Sequence, residues 1–130
     1  MTQTTFLLEL LKNNQDAILI GSIGTISYDL KEIPHPNKIL IKGAMGAVLG
    51  CALGYALNTD KQVIAIIGDG AFLMKMGSLS TIIKYNPKNL KVIIINNGEY
   101  KSCGGQATNF SAIKDLIKDH VKIFEPTLSE

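Results

Sequence analysis

The chain has 130 residues, 46% of them hydrophobic and 18% charged, with a formal net charge of +2. That length holds one domain with one core, and the composition lies well outside the disordered class. A near-neutral balance without a basic block argues against nucleic acid as a partner. All thirteen basic residues are Lys, so this chain has no guanidinium fork with which to clamp a doubly anionic substrate.

Thr5 to Asn14 carries Phe6, Leu7, Leu10 and Leu11 at helical spacing and ends in Asn13-Asn14, which predicts a short amphipathic packing helix. Met1 to Leu11 lacks the basic start and the long uninterrupted apolar run expected of a signal peptide. With Cys51 inside an apolar helix and Cys103 in a loop, there is no metal spacing and no disulfide framework. A reducing, cytoplasmic setting is the expectation.

Ala17 to Ile20 is a first strand ending in Gly21-Ser-Ile-Gly24, and Thr25 is placed to cap a helix that runs through Leu30. A dinucleotide site would need Gly-x-Gly-x-x-Gly here and an acid beyond it, and neither is present. Pro34 to Asn37 reads as a turn with His35 as a solvated loop residue, and Lys38 to Ile41 as a second strand. Gly43-Ala-Met-Gly46 then leads into a helix over Ala47 to Asn58, with Gly46, Gly50 and Gly54 on one face so that another backbone can approach. The same face resembles a membrane dimer motif. Gly43 to Leu57 is only 15 residues, short of the roughly 20 a span requires, so a helix packed on the sheet or on a partner is expected instead.

Val63 to Gly68 and Val92 to Ile95 are β-branched, apolar runs of the kind found in buried parallel strands. The first runs into Gly68-Asp69-Gly70 and the second into Asn96-Asn97. Between them Phe72, Met76, Leu79 and Ile83 predict one amphipathic helix ending at Asn86-Pro87-Lys88-Asn89. A strand, helix, strand crossover makes the two strands parallel, with both carboxyl ends on one sheet edge. If they are neighbours, about 4.8 Å apart, the Asp69 carboxylate and the Asn97 amide can reach one cation. Both are hard oxygen ligands suited to Mg²⁺ or Ca²⁺. The free N–H groups of Gly70 and Ala71, opening the helix, suit a phosphate. Read singly, Gly-Asp-Gly is also a tight turn and Asn97-Gly98 also a hairpin turn. Gly98 to Thr108 is a polar, glycine-rich loop over that edge, Ser111 to His120 a helix with Ile113, Leu116 and Ile117 inward, and Val121 to Phe124 a last strand.

Gly-Asp-Gly and Asn-Asn, with Asn97 following Asp69 by 28 residues, form a pair that resembles the signature of the thiamine diphosphate-dependent enzyme superfamily. Gly43-Ala-Met-Gly46, Leu73-Met-Lys-Met-Gly-Ser-Leu79, Asn86-Pro-Lys-Asn-Leu90 and Asn97-Gly-Glu-Tyr-Lys-Ser-Cys-Gly-Gly-Gln106 extend the likeness. Within the superfamily they resemble the β-type subunits of phosphonopyruvate and sulfopyruvate decarboxylases, over roughly residues 15 to 110. The resemblance implies an α/β fold, a doubly wound parallel sheet with helices on both faces, in one domain over residues 1–130. It implies Asp69, the Asn97 side chain and the Glu99 carbonyl as ligands of Mg²⁺. The diphosphate would lie on the amides of Gly70 and Ala71, with Gly68, Gly98 and Tyr100 in the same cofactor-binding set. Met45 would prop the thiamine diphosphate in its bent shape, although plain core packing also explains it, and the Gly43 carbonyl would accept from its aminopyrimidine.

The implied function is a cofactor-binding subunit of a carboxy-lyase acting on a small anionic 2-oxo acid such as phosphonopyruvate or sulfopyruvate. An acetolactate synthase-like carboligase subunit and a truncated, non-catalytic cofactor-binding or regulatory protein are the alternatives. In the superfamily the glutamate that activates the cofactor sits on a pyrimidine-binding domain, which this chain lacks. The resemblance therefore implies a partner chain and a hetero-oligomer. Glu99 cannot substitute, because its carbonyl is assigned to the metal and its side chain to the diphosphate end. Departures from the pattern are Tyr28-Asp29, Ala71 and Cys103, and the chain stops soon after Phe124, where the resembled proteins continue. The sheet is therefore expected to end early or to be finished by a partner. Cys103 has no His nearby in sequence to make it a nucleophile.

Overall fold

β-branched residues stiff at χ1 favour extended backbone, and the chain uses them in its central strands. The computed structural model describes residues 1–22 and 24–129. Ile23, inside the expected Gly21-to-Gly24 strand end, and Glu130 lie outside the described residues. The helices are α1 (Gln3–Lys12), α2 (Thr25–Glu32), α3 (Val48–Leu57), α4 (Asp69–Met74), α5 (Gly77–Tyr85) and α6 (Lys114–Ile117). The strands are β1 (Ile18–Gly21), β2 (Lys38–Leu40), β3 (Val63–Gly68), β4 (Leu90–Ile95) and β5 (Lys122–Phe124).

All strand pairs are parallel, in the order β2-β1-β3-β4-β5. The expected doubly wound sheet is therefore observed. Alternation along β3 sends Val63, Ala65 and Ile67 into one core with α3 and α5, and Ile64 and Ile66 into a second with α1 and α2. Phe72 meets Phe110 edge-on in the first core, at 5.9 Å between centroids, and Phe6 stacks on Phe124 in the second at 4.0 Å. The strand order reverses between β1 and β3, and a ligand in such a sheet binds beyond the strand carboxyl ends at that crevice.

Several local expectations change. The helix predicted from Phe72 to Tyr85 is two helices, because Lys75 leaves helical geometry at φ −140°, ψ 46°. The break resets the helical phase. α5 buries Leu79 and Ile82, while Met76 and Ile83 are each 43% exposed. Ser111 to His120 is a 3₁₀ turn at Phe110–Ala112 followed by the single turn α6, so Ile117 is buried but Leu116 points outward at 79% exposure. Gly24, not Thr25, holds the N-cap position of α2, and the Thr25 hydroxyl accepts from Gln3 Nε2 at 3.4 Å.

The glycine stripe divides. Gly46 has φ +88° and lies in the loop before α3, where an added Cβ would stand 3.2 Å from the Ala71 carbonyl and 3.3 Å from Lys75. Gly50 and Gly54 face open space within the chain. Among the described residues, no helix is long and apolar enough to cross a membrane. His35 is a clip as well as a turn residue: its Nε2 lies 2.8 Å from the Asn14 carbonyl, and Asn37 N–H donates to its Nδ1 at 3.0 Å. The neutral tautomer protonated at Nε2 satisfies both bonds.

Candidate cofactor and metal site

The β3–β4 register pairs Gly68 with Ile95. Asp69 and Asn97 consequently start and end neighbouring turns at the carboxyl edge. Asp69 is the first residue of α4 and only 1% exposed. Its Oδ2 accepts from the Thr108 hydroxyl at 2.5 Å and from Gly98 N–H at 3.2 Å, so both bonds fall on one oxygen. Among the described residues the one salt bridge is Lys114–Glu125, so Asp69 has no basic partner. A buried carboxylate without a counter-charge is costly, by several kcal/mol per ion after relaxation, and a cation at Oδ1 would remove that cost.

A cavity of about 110 Å³ opens here, lined by Asp69, Gly68, Gly70, Ala71, Asn97, Glu99, Tyr100 and Met45, with Ser22 just after β1 and Gly24 and Thr25 at the start of α2. It lies across the β1/β3 reversal. The Asn97 Oδ1 accepts from Glu99 N–H at 3.0 Å and keeps a second lone pair. No group of three or more His, Cys, Asp or Glu that could hold a metal occurs among the described residues. Ligation here would therefore combine one carboxylate with amide and backbone oxygens, a hard donor set that suits Mg²⁺.

Eight of the ten expected site residues, Met45 among them, line this cavity. Gly98 does not line it, but donates its N–H to Asp69. Gly43 does not line the cavity: it is exposed on the loop before α3, at φ +72°, and its surroundings are open. Met45 lines the cavity and also packs on the α3/α5 core, as the core-packing reading expects. Cys103 lines the cavity too, without either His.

The loop after Asn97 folds back on itself. Glu99 pairs with Ala107 in an antiparallel bridge, and Tyr100 N–H donates to the Gln106 carbonyl at 2.8 Å. Its turn needs Gly104 at φ +116° and Gly105 at φ +80°, values that glycine adopts without steric cost. The loop lays the Tyr100 ring on α4, where a Cβ at Gly70 would come 2.6 and 2.7 Å from ring carbons. Thr108 was not anticipated as part of the site. A hydroxyl at the end of a polar loop gives no periodic signal, and its partner lies 39 residues away.

Residues 20–125 match the family described as thiamine pyrophosphate enzyme, C-terminal TPP binding domain. The chain belongs to that family. Among its relatives is the sulfopyruvate decarboxylase subunit beta of Methanocaldococcus jannaschii, 42% identical over 93 residues that make up 71% of this chain and 50% of that one. The phosphonopyruvate decarboxylase of Streptomyces viridochromogenes is 36% identical over 100 residues, 76% of this chain and 25% of that one. The chain thus spans half or less of the length of these two relatives. A solved structure from Mycobacterium smegmatis, described as a thiamin diphosphate-dependent enzyme, shares the fold with a TM-score of 0.65 at 23% identity, covering 100% of this chain and 32% of that one.

Gly68-Asp69-Gly70 stands at the carboxyl end of β3, beside the β1/β3 reversal, and Asn96-Asn97 at the carboxyl end of the neighbouring strand β4.

Proposed function

We propose that this chain is the cofactor-binding subunit of a thiamine diphosphate- and Mg²⁺-dependent 2-oxo acid decarboxylase, acting on a small anionic substrate such as phosphonopyruvate or sulfopyruvate. The observation that carries the proposal is the buried Asp69, which spends only Oδ2 on protein donors and shares its cavity with Asn97 and Glu99. Asp69, the Asn97 side chain and the Glu99 carbonyl hold the metal. The amides of Gly70 and Ala71 would bind the diphosphate, with Gly68, Gly98 and Tyr100 in the same set, and Met45 would prop the cofactor in its bent shape. Gly43 would contribute its carbonyl only with its loop drawn over the cofactor.

When bound, thiamine diphosphate supplies the electron sink for loss of CO₂ from a 2-oxo acid. The chain's own residues bind, orient and keep water from the charged end. Asp69 neutralises part of the metal's charge, and the Tyr100 ring covers Gly70. The cavity that Asp69 lines is roughly 110 Å³, smaller than a usual small-molecule site of about 300–1,000 Å³, which supports reading this chain as one wall of a site. A pyrimidine-binding subunit or domain on another chain supplies the other wall and the activating glutamate, and a hetero-oligomer is the working form. With no Arg in this chain, the partner also supplies any bidentate clamp on the substrate's second anion.

The test is to recover the tagged chain from its native cells, identify the co-purifying polypeptide by mass spectrometry and assay the complex for thiamine diphosphate and 2-oxo acid turnover. Bound cofactor that is lost on Asp69→Ala is the expected result. Retention unchanged by that substitution overturns the metal assignment, and a complex that holds cofactor but turns over no 2-oxo acid overturns the decarboxylase.

A further inference from the structure

Asp69, Gly98 and Thr108 close a ring of three hydrogen bonds. Gly98 N–H donates to Asp69 Oδ2 at 3.2 Å, Thr108 N–H donates to the Gly98 carbonyl at 3.0 Å, and the Thr108 hydroxyl donates to Asp69 Oδ2 at 2.5 Å. Phe110 N–H approaches the Thr108 oxygen at 3.4 Å. With that N–H pointing into the oxygen, the hydroxyl's single proton is directed at the carboxylate. Thr108 is 7% exposed and Asp69 1%, so water does not compete for either partner. A hydrogen bond to an ionised acceptor in such surroundings is among the stronger ones.

We propose that Thr108 is a positioning residue for the metal: its hydroxyl fixes the Asp69 carboxylate with Oδ1 toward the cavity and latches the Gly98-to-Ala107 loop, with Tyr100, onto α4. The inference rests on the metal role of Asp69 proposed above. A carboxylate free to rotate would present either oxygen to the cavity and would pay ordering entropy on binding a cation. Thr108 removes that freedom by taking one oxygen. Because the same residue's N–H holds the Gly98 carbonyl, the latch also sets where the chain carrying Asn97 and Glu99 leaves β4. One residue, through its hydroxyl and its backbone N–H, thereby ties the β3-end ligand to the β4-end ligands. Groups that orient metal ligands in this way typically change metal affinity by about 10–100-fold when removed.

The experiment uses the full chain with its partner and measures thiamine diphosphate retained as Mg²⁺ is varied. Thr108→Val keeps the branched shape and deletes the hydroxyl, Thr108→Ser keeps the hydroxyl, and Thr108→Ala is a second hydroxyl deletion should the valine variant fail to fold. The expected result is a half-saturating Mg²⁺ raised on the order of ten-fold or more in the valine and alanine variants, full retention restored by excess Mg²⁺, and a serine variant close to the unsubstituted protein. A merely structural threonine would lower thermal stability without a shift that excess Mg²⁺ rescues. A second readout needs no cofactor: trypsin should cut after the exposed Lys101 faster in the valine and alanine variants than in the serine variant. Unshifted Mg²⁺ dependence in the hydroxyl deletions, with cofactor still bound, overturns the positioning role alone. An unsubstituted complex that retains no cofactor at any Mg²⁺ overturns the function proposal and the metal role with it, whatever the trypsin result.

Discussion

The two edges of the sheet handle polar groups in opposite ways. At the amino edge, Asn89 Nδ2 donates to the carbonyls of Ala56, Thr59 and Lys61 at 3.0, 2.9 and 2.9 Å, and Lys38 Nζ donates to those of Leu30 and Ile33 at 2.6 Å each. His35 joins Asn14 to Asn37 there. These side chains are used up in satisfying orphan carbonyls at helix ends and turns. At the carboxyl edge, among the described residues, the hydrogen bonds to Asp69 fall on Oδ2 and leave Oδ1 unspent, and the buried Asn96 Oδ1 has no partner. A buried acceptor left unmatched costs about 1–3 kcal/mol. An edge that carries such costs is arranged for something besides its own stability, and substitutions on the two edges should therefore fail in different assays.

The largest expected effect is at the carboxyl edge. Gly70→Ala introduces a Cβ 2.6 Å from the Tyr100 ring, so the loop must lift or α4 must shift. Overpacking of this kind typically costs about 1–3 kcal/mol, and here the strain can be relieved by moving the loop rather than the core. Cofactor affinity of the partnered chain should fall on the order of ten-fold or more, equivalent to about 1.4 kcal/mol, while thermal stability of the chain changes little. Equilibrium dialysis with thiamine diphosphate beside a thermal melt checks both. A large loss of stability with affinity intact would reverse the assignment of this edge.

Asn89→Ala at the amino edge should do the reverse. It strips a donor from three carbonyls and detaches the end of α3 from the start of β4, for a stability loss of about 1–3 kcal/mol and no change in cofactor affinity. Urea unfolding of the two proteins under one set of conditions, with unchanged m, measures it. If Asn89→Ala weakened cofactor binding as strongly as Gly70→Ala, the separation of the two edges would not hold.

Much of this division was legible in the sequence, for physical reasons that differ by residue. Val63 to Gly68 and Val92 to Ile95 are apolar on both faces, which only a covered parallel strand tolerates, and Gly68-Asp69-Gly70 with Asn97 marks two strand ends. What the periodicity of Phe72, Met76, Leu79 and Ile83 could not carry was the break at Lys75, because each half alone still fits a helical stripe. Leu116 failed similarly, since α6 is a single turn with room for one inward residue, Ile117. The sequence places Asn89 at a helix stop and Thr108 at a loop end, but not the bonds they make, because their partners lie 28–33 and 39 residues away. A short polar side chain in a loop gives no local sign of which distant backbone it will meet.

The smallest expected effect tests whether charge alone, without burial, matters at the carboxyl edge. Lys114 Nζ lies 3.0 Å from Glu125 Oε1, with the two side chains 33% and 56% exposed. The hydrogen bond to Glu125, followed by the attraction of its charge, raises the Lys114 pKa above the ordinary 10.5. A raised amine pKa contributes stability that is fully present below the unfolded value and is lost as pH climbs through the folded one. Glu125→Gln should therefore leave the pH 7 melt nearly unchanged, as exposed pairs generally do. It should bring the Lys114 titration, followed by NMR, down toward 10.5, and any difference in melting temperature should close only above that pH and shrink with added salt. A difference that persisted at high salt would mean that the pair holds β5 against the sheet by geometry rather than by charge. The exposed end of the carboxyl edge would then join the structural class to which Asn89 belongs.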